Sequence, residues 1–328
     1  MNPENSYFGV GMNRYMMTFS RIAWGACCCL CLLSGCGRGG AGAVAGDGFA
    51  LPEIPAVITS PEERAAYLGR HFWDRYDFAD TALVFSGEVT EQAFANYVQV
   101  LGLLAPEERK TAVGNLLDRA LETDSVVFGR FADLFDKYLY DPNSPMRDEE
   151  LYIPVLEHVV SSPRVPEAEK ILPRDRLAWA LRNRAGTRAA DFTYTLASGA
   201  TGTLYGVKAD YTLLFFNNPD CPACKRMREE ISASPLLSGW IGQGRLRVLA
   251  VYPDEDLTAW RNYRNNIPPE WINAYDASLA LRDGELYDLK AIPTLYLLGR
   301  DKTVLLKDCL SVGQVIAFLE REQASDQS

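Results

Sequence analysis

Between about residues 60 and 184, apolar positions recur at helical spacing. Ser60-Pro61-Glu62-Glu63 supplies an N-cap serine, a first-turn proline whose missing N–H costs nothing, and two carboxylates at the positive end of the helix dipole. Tyr67, Leu68, Phe72 and Tyr76 then share a face. Further helices are predicted over 90–104, 106–121, 125–139, 148–160 and 167–183, with Pro142, Pro145 and Pro163 in the links. Beyond residue 190 the period changes. Phe192–Leu196 and Gly202–Leu204 flank Ala197-Ser198-Gly199 in a hairpin pattern. Tyr211–Phe216 is a short apolar run of the kind found in strands buried on both faces. A helix begins at or near Cys221, followed by a strand over 246–252, a short helix over 257–263, strands over 295–298 and 303–307, and a closing helix over 312–321. No repeat of fixed length appears, which excludes a solenoid reading.

The start of the chain has a different character. Arg14 and Arg21 precede the apolar stretch Ile22–Leu33, which is the length of a signal-peptide core and too short to span a bilayer as a helix. It ends in Leu33-Ser34-Gly35-Cys36, which resembles a bacterial lipobox, and the resemblance implies a lipid on Cys36. An ordinary secretory signal or a small apolar anchor is the alternative. Residues 37–48 are rich in Gly and Ala and read as a flexible tether. The domain plan is therefore a signal segment over 1–35, a tether over 36–59, a helical domain over 60–185 and a second domain over 186–328. The expected place is the bacterial cell envelope, lipid-anchored at the outer membrane and facing the periplasm.

Composition narrows the chemistry. The 328 residues carry a net charge of −10 and no long basic run, so nucleic acid is not an expected partner. Five of the eight cysteines fall before residue 37, leaving Cys221, Cys224 and Cys309 in the body. The two histidines, His71 and His158, lie in different predicted helices, and no metal site or cofactor is expected. The aromatic run from His71 to Phe78 reads as a packing face, with a binding surface as the alternative. In Cys221-Pro222-Ala223-Cys224 the two thiols sit in one first helical turn, where free amides and the dipole favour a thiolate on Cys221. Lys225 and Arg226 add positive charge and Asp220 opposes it. Cys309 reads as a buried thiol or a third redox partner.

The order of strand, C-x-x-C, helix, strand, helix, Ile292-Pro293-Thr294, hairpin and helix resembles the thioredoxin superfamily. The hairpin opening at Ala190-Asp191-Phe192 points to its extracytoplasmic TlpA/ResA-like branch. The preceding helices resemble an uncharacterised domain found before thioredoxin domains in Bacteroidota lipoproteins. The resemblance implies an α + α/β chain: an all-helical domain, then a mixed sheet flanked by helices. It implies Cys221 as attacking thiolate, Cys224 as resolving thiol, and Pro293 as a cis proline that leaves the backbone of Ile292 free for substrate. The partners implied are cystine-containing exported proteins or peptides and a membrane or periplasmic electron donor. Two departures stand out. The acid of thioredoxins six residues before the first cysteine is Phe215 here, and the glutamate of the TlpA/ResA branch six residues after it is Met227. Glu229 and Glu230 are expected to face solvent. The rival reading is a non-catalytic interaction module with a structural disulfide; a peroxidase is the weaker third.

Overall fold

The computed structural model describes residues 49–289, 291–309 and 311–326. The signal segment, Cys36 and the tether up to residue 48 lie outside them. The chain forms two compact units that divide between Leu134 and Phe135.

The first unit contains α1 (Pro61–His71), the short α2 (Thr81–Val84), α3 (Gln92–Gly102), α4 (Pro106–Thr123) and most of α5 (Ser125–Phe135). Ser60 caps α1 as its sequence requires, accepting the Glu63 N–H at 3.0 Å. The aromatic run is a packing face: Phe72, Trp73, Tyr76 and Phe78 are all buried. Trp73 meets Phe131 edge-on at 5.3 Å. The buried hydroxyls of Tyr76 and Thr90 are paired. Thr90 donates to the Leu83 carbonyl, leaving its oxygen to accept from Tyr76 at 2.6 Å.

The second unit opens with a widened turn over Asp136–Tyr140, α6 (Glu149–Ser161) and α7 (Ile171–Leu181). Then follow β1 (Thr193–Leu196), β2 (Thr201–Thr203), β3 (Tyr211–Phe216), α8 (Pro222–Ala233), α9 (Pro235–Gly242) and β4 (Leu246–Tyr252). The chain closes with α10 (Leu257–Tyr263), β5 (Ile272–Tyr275), β6 (Thr294–Leu298), β7 (Val304–Leu306) and α11 (Val312–Asp326). The sheet order is β2-β1-β5-β4-β3-β6-β7. β3, β4 and β5 run parallel, and β6 returns antiparallel beside β3. β3 is central and buried on both faces, as its uninterrupted apolar run requires. Leu213 and Phe215 point into one core layer with Cys224, Met227 and Ile231 of α8 and Val315 and Leu319 of α11. Leu214 and Phe216 point into the other, against Phe192, Tyr287 and Tyr296. The period-two pleat of one strand thus feeds both layers.

Within the second unit, charge and hydrogen bonding tie the helices before residue 186 to the sheet. At the end of β7, Lys307 Nζ donates to the carbonyls of Trp179, Ala180 and Arg182 at 3.2, 2.9 and 2.8 Å, capping α7. The Glu149 carboxylate, 2.7 Å from the same nitrogen, supplies the countercharge. Next in the chain, Asp308 pairs with Arg147 at 3.0 Å, both largely buried. The connection between α7 and β1 also joins the sheet. Gly186 N–H donates to Val304 O, Val304 N–H to Thr187 O, and Ala189 N–H to Lys302 O, so residues 186–189 run along the outer edge of β7.

Candidate active site

β3 ends at Phe216 and delivers the chain into the loop 217–220. Asn217 is buried and donates to the Phe215 carbonyl at 3.3 Å. Asn218 donates to Asp254 at 3.0 Å. These bonds fix where α8 starts. Cys221 is its N-cap, extended at φ −105° and ψ 105°, and Pro222 opens the first turn. The Cys221 sulfur accepts the Cys224 N–H at 3.0 Å, in the place an N-cap oxygen would take. The two cysteines form a disulfide, with Cα atoms 5.2 Å apart. Cys221 is half-buried, whereas Cys224 is buried. Attack from outside therefore reaches Cys221 first.

Across the cap, the Ile292–Pro293 peptide bond is cis. Ile292 O lies 3.7 Å from Cys221 Sγ. Among the described residues the Ile292 N–H donates no hydrogen bond, and Ile292 is half-exposed. The structure thus brings together Cys221, Cys224, Ile292 and Pro293 from two segments distant in sequence. Cys36 lies outside the described residues. Phe215 and Met227 pack in the layer beneath Cys224, both buried, so no carboxylate occupies either position. Glu229 and Glu230 are exposed. Among the described residues, no group of three or more His, Cys, Asp or Glu side chains converges as metal ligands would.

Beside Pro293 opens a cleft of about 390 Å³. It is lined by Ala223, Arg226, Met227 and Glu230 of α8 and by Cys309. It is also lined by Pro142, Asn143 and Arg147, from the loop between the widened turn and α6. Sequence reading missed these three residues. Pro142-Asn143 signals only a turn, and nothing local says that the turn faces Pro293.

Cys309 is buried, and burial together with the neighbouring Asp308 pushes its thiol up to about 12. An acid whose folded value is raised stabilises the fold fully below its ordinary value, 9.0, and loses that contribution as pH climbs towards 12. Replacing Cys309 by alanine is therefore expected to shrink the fall in urea midpoint between about pH 8 and about pH 10.5. An identical fall in both proteins would overturn this assignment.

The chain is similar to several proteins. A domain of unknown function family, DUF5106, matches residues 23–183. A thioredoxin-like protein from Bacteroides caccae, solved by crystallography, is 50% identical over 82% of this chain and 96% of its own, with a TM-score of 0.78. The C-terminal domain of an uncharacterized protein from Bacteroides fragilis is 52% identical, covering 42% of this chain and 98% of its own, with a TM-score of 0.41. No curated protein matches.

Proposed function

The chain belongs to the thioredoxin-like proteins, and from that premise we propose that it is a thiol–disulfide oxidoreductase of the bacterial envelope, tethered through a lipid on Cys36. The observation that carries this reading is the Cys221–Cys224 disulfide at a helix cap, 3.7 Å from the carbonyl of the residue before a cis proline. In the reduced form, the Cys221 thiolate attacks one sulfur of a substrate cystine, and the other sulfur departs as a thiolate and takes a proton from water. Cys224 gives its proton to solvent and attacks Cys221 Sγ. That step closes the disulfide seen here and releases the second substrate thiol. Two electrons pass to the substrate, and a dithiol donor of the envelope restores the pair. With Phe215 and Met227 where a carboxylate would stand, water carries both protons. An extended substrate strand pairs with the backbone of Ile292, whose N–H donates no hydrogen bond among the described residues. The substrates are exported proteins or peptides, which are reduced or isomerised. The lipobox-like Leu33-Ser34-Gly35-Cys36 supports the envelope location, and no helix among the described residues is long and apolar enough to cross a membrane.

The same two apolar residues favour a second reading, a static disulfide in an interaction module. Titration of the protein against glutathione and dithiothreitol buffers separates the two. A midpoint above about −300 mV is expected. A midpoint well below that value, with no exchange on a cystine peptide, would leave the disulfide structural.

A further inference from the structure

The loop that brings Pro142, Asn143 and Arg147 to the cleft beside Pro293 is hydrogen-bonded within itself. Asp141 Oδ1 accepts the Asn143 N–H at 2.8 Å and its side-chain amide at 3.1 Å. Ser144 donates to the Tyr138 carbonyl at 2.6 Å. Arg147 is pinned to Asp308, directly before Cys309. Three hydrogen bonds shape this loop from within, and one largely buried ion pair ties it to the segment that follows β7.

We infer that Pro142 and Asn143 are specificity-determining residues of the Cys221–Cys224 site: the loop they tip walls the groove in which the polypeptide flanking the substrate cystine lies. This rests on the oxidoreductase reading. The cleft is lined by Ile292 and Pro293, where a strand bonded to the Ile292 backbone would sit, and also by α8 and the loop. At about 390 Å³ it holds a short stretch of extended chain, not the surface of a folded domain. The occupant is therefore an extended cystine-bearing segment, as in an exported chain that is unfolded or misbridged. A small disulfide that reaches only Cys221 touches none of the wall.

The test measures exchange by the full-length protein with two probes. One is bis(2-hydroxyethyl) disulfide. The other is a linear peptide of about ten residues carrying one cysteine as a mixed disulfide. Asn143→Trp fills the groove from a solvent-exposed position. It is expected to lower the peptide rate at least about tenfold more than the small-disulfide rate. Pro142→Trp, on the same tip, is expected to give the same split, so misfolding of one variant leaves the other to decide. Equal change with both probes in a folded variant would overturn the wall. Failure of the wild-type protein with both probes would overturn the oxidoreductase reading, and the wall's role with it.

Discussion

Cys221→Ser is expected to abolish disulfide exchange, lowering the rate by at least about a thousandfold, because it removes the nucleophile itself. Cys224→Ser is expected to behave differently. It keeps the attacking sulfur at the helix cap and removes the group that resolves the intermediate. Mixed disulfides between Cys221 and its substrates should then accumulate and be visible by non-reducing electrophoresis and mass spectrometry. The one other described cysteine cannot take over: Cys309 is buried, and its thiol is pushed up to about 12, so it has almost no thiolate at neutral pH. The Cys224→Ser trap should therefore be a dead end. Full turnover by Cys221→Ser would remove Cys221 from the mechanism, and steady turnover by Cys224→Ser would bring another thiol into it.

The largest expected effect on stability lies elsewhere. Lys307→Met removes three hydrogen bonds from the last turn of α7 and the ammonium 2.7 Å from the Glu149 carboxylate. Lys307 and Glu149 side chains are only 9% and 13% exposed, so water does little to compensate. Breaking one partner out of such a pair costs about 3–5 kcal/mol. For a unit of this size, that corresponds to a fall in melting temperature of roughly 10 °C. Faster amide exchange in residues 171–181 should accompany it. Adding Glu149→Leu to Lys307→Met should recover part of the loss, because the buried carboxylate goes with the ammonium that faced it. A melting temperature within about 2 °C of wild type would show that the pair contributes little.

The sheet was legible wherever burial on both faces left no choice of residue. Tyr211–Phe216, Leu246–Tyr252 and the helix capped by Cys221 lie where the apolar runs and the cap signal put them. β5 was not legible. Ile272–Tyr275 includes Asn273, is only partly buried, and becomes a strand because β4 and β1 pair with it. α9 was missed for a related reason. Pro235–Gly242 contains two glycines, and its helix is stabilised by Leu237, Trp240 and Ile241 entering the core. The cysteines and the Ile-Pro-Thr turn could be read as one site because family order links them. Asn143 and Arg147 could not, since only the folded chain sets them opposite Pro293. Lys307 likewise reads as a strand end, and the carbonyls it caps lie far earlier in the chain.

The segment 186–189 does more than connect. It occupies the outer edge of β7, while the opposite edge of the sheet is β2, only three residues long. Among the described residues, neither border offers a long row of free amides and carbonyls to a stranger. A newly folded copy therefore has little with which to recruit its neighbours into an intermolecular ribbon, a hazard that grows when many chains fold side by side.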